Sequence, residues 1–253
     1  MSGECVSYDC PPCGDLCSTP YALPASPTAV SSGNTPEIYL STASKDMYGI
    51  EKEAIEIYLK KVLNAENIYD LLENTTINST DNLPYGTLGM ISSTVQYNPV
   101  TGKKNPVRSD IFYDSTLPED LQIYALLHEL THLEQLNYNS NMPLSFSEGD
   151  AEYNASALTG NGLDTIYDTE KGIFYNADKT YEKCKETVTG IYKAIGDGDI
   201  DSGRKQFYKA IERFGGDFYT ALDSFDTSLN KDGINPEQIY DQLDSLDLEI
   251  TQK

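Results

Sequence analysis

The stretch Leu126–Leu136 reads LLHELTHLEQL, and within it His128-Glu129-Leu130-Thr131-His132 holds both histidines of a 253-residue chain. On an α-helix, residues four apart stand one turn above each other on a single face. Two imidazoles placed this way aim at one ion. Glu129 is rotated by about 100° from His128 around the helix axis, so it reaches a water at that ion without ligating it. Two nitrogen ligands and a carboxylate base are what a zinc hydrolase asks of its first metal helix. The competing explanation, two polar residues that fall four apart by chance, is a rare outcome when only two histidines are available.

The surroundings favour a helix. Thr116-Leu117-Pro118-Glu119 has the capping-box pattern, with Thr116 as N-cap and Glu119 three residues on. Pro118 is tolerated in a first turn because its missing N–H has no helical partner to lose. The apolar run from Leu121 to Leu136 continues for about five turns, which predicts a helix over about 117–136. Upstream, GMISSTVQYNP (89–99) and VRSDIFYD (107–114) carry β-branched and aromatic residues around the turn-like VTGKKNP. They predict a hairpin or small sheet just before the metal helix. The polar NTTINSTDNLPYG (74–86) reads as loop, and apolar spacing over about 44–72 reads as one or two helices.

A catalytic zinc takes three protein ligands and leaves a fourth position open. With no third histidine, the third ligand is a carboxylate or a thiolate. SEGDAEYNASAL (147–158) reads as a second helix and offers Glu148 and Glu152, four apart on one face. HELTH followed by EGDAEY resembles the gluzincin peptidases, whose second helix carries the third-ligand glutamate in a form often written EG-x-A-x-Y. Residues 148–153 match that form at Glu148, Gly149, Ala151 and Tyr153, and the resemblance covers about residues 105–160. It implies zinc as cofactor, Glu129 as general base and His128, His132 and Glu148 as ligands. Glu152 would then sit beyond the metal and accept an N–H from a ligand histidine. Glu152 also stays open as the ligand itself. It lies twenty residues after His132, close to the gap of thermolysin-like members, whereas Glu148 lies sixteen after. The oxyanion donor of such a site would be a Tyr or Arg, with Tyr138, Tyr167, Tyr175, Arg108, Arg204 and Arg213 as the pool.

Composition sets the class. A hydrophobic fraction of 39% and a charged fraction of 23% are those of a globular chain. A formal charge of −22 repels phosphate backbones and anionic lipid, so neither nucleic acid nor a membrane is expected as partner. No apolar run reaches the length of a membrane span. The opening MSGECVSYDC lacks the basic start and apolar core of a secretory leader, so a cytoplasmic location is the default expectation.

Residues 1–36 are rich in Ser, Pro, Cys and Gly and contain no Lys or Arg, which predicts a flexible tail ahead of one domain at 37–253. Cys5, Cys10, Cys13 and Cys17 fall in that tail. Disulfides or free thiols, a second zinc or iron–sulfur site, and a redox C-P-P-C pair are all open to them. Beyond Gly160 the pattern is helical, with Tyr181, Cys184, Val188 and Ile195 on one face, and Asn235-Pro236 opening a last helix. DGDIDSG (197–203) starts like a calcium loop but lacks its Gly and Glu, so it reads as a turn.

The expected molecule is therefore an α+β protein, mainly helical and zincin-like. It has a small β-sheet before the HExxH helix and a helical C-terminal subdomain over about 165–253. The expected activity is hydrolysis of a peptide or protein substrate by a zinc metallopeptidase. A non-catalytic zincin-like structural or interaction protein is the alternative, and a non-peptidase metallohydrolase is a third reading.

Overall fold

A computed structural model describes residues 4–9, 48–60, 63, 68, 71–84, 87–97, 104–138, 141–160 and 179–251. Their strands are β1 (Glu4–Asp9), β2 (Thr75–Thr80), β3 (Gly89–Tyr97) and β4 (Lys104–Asp114). The helices, among the described residues, begin with α1 (Tyr48–Tyr58), α2 (Glu119–Gln135) and α3 (Leu144–Thr159). They continue with α4 (Lys179–Ile195), α5 (Ile200–Arg213), α6 (Phe218–Asp223), α7 (Asp226–Lys231) and α8 (Pro236–Thr251). This is the mainly helical α+β arrangement that the sequence predicts, with its sheet ahead of the HELTH helix.

The sheet has the order β1-β3-β4-β2. β3 and β4 form the expected antiparallel hairpin, in which Ile91 faces Ile111. The ladder slips by one residue at Val107, beside Pro106, which has no N–H to give to a partner strand. β2 corrects the reading of 74–86 as loop: Thr75–Thr80 pair in parallel with Ser109–Asp114. Its Ser and Asn content resembles a turn, but Thr75, Thr76, Ile77 and Thr80 are β-branched, and partly buried Ile77 lies opposite Ile111. Glu4–Asp9, inside the segment read as a tail, add β1 antiparallel to β3.

One core lies between the sheet and the first two helices. Ile91 and Ile111 pack with Ala54, Ile55 and Tyr58 of α1 and with Leu126, Leu127, Leu130 and Leu133 of α2. A second core lies within the helical half, where Phe146 of α3 meets Val188, Tyr192, Phe207 and Phe218. α2 and α3 stand back to back between the two cores, with buried residues on nearly every side.

The helix starts differ from the capping-box expectation. α2 begins at Glu119 with Pro118 in the cap position and no side-chain cap. Thr116 is two residues too early, and its N–H and hydroxyl are both held by Asp114 Oδ1, at 2.8 and 2.7 Å. Glu119 and Asp120 still favour the positive end of the helix dipole. α3 starts three residues before the predicted 147. Its first amides, Leu144 and Ser145, donate to Asp247 of α8 at 3.3 and 2.6 Å, and Ser145 Oγ donates to Leu243 O at 3.0 Å. A cap that most helices take from their own chain neighbour comes here from a helix about a hundred residues away. At 197–203 the structure has the expected turn, in which Asp199 caps α5 by accepting from Ser202 N at 3.0 Å.

Gly149 explains part of the EG-x-A-x-Y pattern. A Cβ there would lie 2.4 Å from the Cys184 carbonyl oxygen and 2.8 Å from Val188 Cγ2. The absence of a side chain lets α4 touch the helix that carries Glu148. Gly149→Ala therefore forces two backbones apart. The expected cost is about 1–3 kcal/mol, read in a thermal scan as a fall in Tm of about 2–4 °C per kcal/mol.

Candidate metal centre

α2 and α3 are antiparallel, so four residues forward along α3 is one turn back along α2. Glu148 comes level with the two histidines, and Glu152 lies one turn further, beside His128 and Tyr124. His128 Nε2 stands 3.1 Å from His132 Nε2 and 3.1 Å from Glu148 Oε2, and His132 Nε2 stands 3.5 Å from the same oxygen. Ligands on a tetrahedral zinc at about 2.1 Å are separated by about 3.4 Å. The three atoms thus form one face of such a tetrahedron, on fully buried residues.

The hydrogen bonds around His132 fix its tautomer. Gln135, three residues on, directs its amide Nε2 at two acceptors, Ser147 O at 3.0 Å and Asp150 Oδ2 at 3.1 Å. Its other end, Oε1, therefore faces His132 Nδ1 at 2.9 Å, and Nδ1 must carry the hydrogen. The neutral ring then points a lone pair from Nε2 into the triad. A lone pair and a carboxylate oxygen at van der Waals range repel unless a proton or a metal cation sits between them. Glu148 Oε1 adds to the case, being a buried oxygen with no hydrogen-bond partner.

The charge balance points the same way. Glu129, Glu148 and Glu152 are all buried. Among the described residues Arg204 is the only buried Lys or Arg, and it is already engaged. Its Nε and Nη2 clasp Asp150 at 2.7 and 3.1 Å, and Nη2 reaches Glu134 Oε2 at 3.3 Å. Three buried carboxylates gathered around two imidazoles are costly to desolvate, and a divalent cation relieves that cost. Two imidazoles and a carboxylate are an ordinary donor set for zinc, so the residues present fit the metal.

In the metal-free protein the protons do part of the cation's work. Burial alone would raise the carboxyl pKa of Glu148, but the facing His132 and His128 outweigh it and hold it at about 2. Burial pushes His132 down, whereas Glu148 and Glu129 push it up by more, so it keeps its proton to higher pH than a free imidazole. A raised histidine pKa stabilises the metal-free fold at low pH, and that contribution is lost as pH rises through it. Zinc must displace the same proton. Apparent zinc affinity, measured by chelator competition, should rise with pH up to the His132 pKa and level off above it. Glu148 stays ionised throughout that range.

Glu152 lies on the far side of His128. Its Oε2 is 3.6 Å from His128 Nδ1, and its Oε1 accepts from the Tyr124 hydroxyl. It is outside the converging triad. Glu129 packs on the sheet: a Cβ on Gly89, the first residue of β3, would lie 3.0 Å from Glu129 Cγ and Oε1. Tyr153 of EGDAEY turns away to Asp201 Oδ1, at 2.8 Å. Arg204 leaves the pool of oxyanion donors because it is spent on Asp150 and Glu134. Arg108 pairs with Asp110 at 2.9 Å on the surface. Tyr167 and Tyr175 lie outside the described residues, as do Cys10, Cys13 and Cys17, while Cys5 falls on β1. Asn154, formally in a glycosylation sequon, is buried and donates to Thr131 Oγ1 at 2.9 Å.

Gln135 and Asp150 are positions that the sequence reading did not single out, and Arg204, read there only as a candidate oxyanion donor, instead anchors Asp150 and Glu134. The spacing of Gln135 from His132 was the available signal, since residues three apart share a helix face.

The centre is an HExxH-plus-glutamate zinc-binding motif of the kind typical of gluzincin peptidases, on a zincin-like α+β fold. It has the ligand triad of a zinc-dependent hydrolase, with Glu129 in the place of the base. No protein-family model, curated protein or solved structure matches the chain. No helix among the described residues is long and apolar enough to cross a membrane.

The amide of Gln135 sits between an imidazole N–H and an anion, so it must accept at one end and donate at the other. Neither a hydrocarbon nor a carboxylate does both. Gln135→Leu and Gln135→Glu should each weaken zinc binding by about 10–100-fold. In ¹⁵N spectra of the metal-free protein, where only two imidazoles contribute, Gln135→Leu should replace the single Nδ1–H form of neutral His132 with a tautomer mixture.

Proposed function

We propose that this chain is a zinc metallopeptidase that hydrolyses peptide or protein substrates. His128, His132 and Glu148 are its metal ligands, Glu129 its general base and Glu152 the outer partner of His128. The convergence of two imidazole nitrogens and a carboxylate oxygen beside a buried glutamate carries this reading.

When bound, zinc polarises the scissile carbonyl and lowers the pKa of the attacking water toward neutrality. The remaining work falls to the chain. Glu129 takes the proton from that water and returns it to the leaving nitrogen. Gln135 keeps a lone pair on His132 Nε2, and Glu152 with Tyr124 orients His128. The strand beside Glu129, β3, can pair with an extended peptide on the side where β1 lies, which favours a peptide over other hydrolysable substrates. A non-catalytic interaction protein would have no use for the base, and Glu129 is kept.

The test uses the full chain with Cys5, Cys10, Cys13 and Cys17 each changed to Ser, so that zinc held by the tail is not counted. About one zinc per chain is expected, lost in His128→Ala and in Glu148→Ala. Glu152→Gln should keep zinc with affinity lowered by about 10–100-fold. Glu129→Gln should keep the metal and lose about 10²–10⁴ in kcat on a peptide library. A protein that takes up no zinc after dialysis against it would end the peptidase reading. Zinc lost on Glu152→Gln but kept in Glu148→Ala would exchange the two glutamates.

A further inference from the structure

β1 occupies one edge of the sheet, alongside β3. Its ladder with β3 is antiparallel and runs from Glu4 opposite Val95 to Asp9 opposite Met90. The chain direction of β1 therefore points at Gly89, and Gly89 is the residue packed on Glu129. A segment that continues one residue past Asp9 in this register stands opposite Gly89, about one strand spacing of 4.8 Å away.

β3 has only two sides. β4 holds one of them along its whole length. The other is held by six residues that come from a segment separated in sequence from α1 by residues 10–47. Among the described residues β1 pairs with no other strand, being terminal in the order β1-β3-β4-β2. An incoming extended peptide can add to β3 only on the side where β1 lies. Main-chain pairing of this kind takes any sequence in extended form, so β1 and a substrate compete for the same donors and acceptors. The sequence after Asp9 is Cys10-Pro11-Pro12, and proline supplies no N–H to continue a ladder.

Building on the peptidase reading, we infer that β1 is an autoinhibitory strand. Glu4–Asp9 fill the groove along β3 in the sense in which a peptide substrate would lie, and activity requires their displacement. The occupant is this chain's own N-terminal segment, and the competing ligand is an extended peptide running antiparallel to β3.

Cys5 and Thr94 are directly opposed partners in the ladder, the placement that a cross-strand disulfide spans. The test is Thr94→Cys in the full chain, with Cys10, Cys13 and Cys17 changed to Ser and zinc loaded. Oxidation should form the Cys5 cross-link, seen by peptide mass mapping. It should lower kcat/KM on a peptide library at least 10-fold, mainly through KM, and reduction should restore it. The pair Val6→Pro and Ser7→Pro covers both possible phases of the ladder, so that one proline removes an N–H directed at β3; it should instead raise kcat/KM above that of the parent.

A second measurement needs no turnover. A fluorescent peptide of residues 4–9 carrying Cys5→Ser should bind the double-proline protein in a Glu129→Gln background, and bind the Glu129→Gln parent at least 10-fold more weakly. Failure of the cross-link to form, or equal kcat/KM in its oxidised and reduced states, would overturn the inference while leaving the zinc site intact. Loss of zinc from every variant would instead strike the peptidase reading. Equal peptide binding by the two Glu129→Gln proteins would overturn the inference even if no substrate had been found.

Discussion

The guanidinium of Arg204 is the charge around which the helical half and the metal helices are assembled. It lies in the interior and forks onto Asp150, which also accepts from Tyr192 at 2.9 Å, Tyr208 at 2.6 Å and Gln135 at 3.1 Å. Its Nη2 continues to Glu134, where the Tyr58 hydroxyl at 2.8 Å and the Leu63 amide at 2.7 Å complete the shell. Residues of α1, α2, α3, α4 and α5 thus converge on one ion pair. Burial pushes the Asp150 carboxyl pKa up, but the guanidinium outweighs it and holds the pKa below its ordinary value. A buried pair gives little net stability, but losing one partner costs about 3–5 kcal/mol, because the other is left uncompensated. The network fixes how the helices are set more than how strongly they adhere, and through Gln135 that setting reaches His132.

The metal centre follows from this setting together with the antiparallel run of α2 and α3. Neither helix could shift by a turn without separating Gln135 from Asp150 or Glu148 from the histidines. The close approach at Gly149 presses α3 onto α4, and Asp247 closes its first turn. Glu148, Gly149 and Asp150 are consecutive, and each faces a different neighbour: the metal position, Cys184 and Arg204. That explains why the second helix is buried almost all round, with polar residues on sides where a surface helix would meet water.

Much of this could be read from the residues. HELTH named the metal helix because its chemistry is local, fixed by a four-residue spacing on one element. The β3–β4 hairpin was legible because its strands alternate and its turn is rich in Gly, Pro and Asn. β2 was not, since Thr and Ser serve strands and turns alike, and only pairing with β4 decides between them. The capping box at Thr116 failed because Asp114 offers that residue a nearer partner. The choice between Glu148 and Glu152 depended on how two helices pass each other, which spacing within one helix does not contain. Arg204 could be read only as one of several candidate oxyanion donors, because nothing in the sequence says that α5 brings it against Asp150 of α3.

The cap supplied by Asp247 bears on the order of events during synthesis. Chains emerge N-terminus first, at about 5–20 residues per second. When the HELTH and EGDAEY segments have both appeared, Asp150 still lacks Arg204, and the first amides of α3 still lack their acceptor on α8. Contacts so distant in sequence form late, because the intervening chain must first be confined. A nascent chain that has reached residue 160 holds every ligand of the centre without the scaffold that aligns them. The alignment of the three side chains is thus completed only after the helical half has been made.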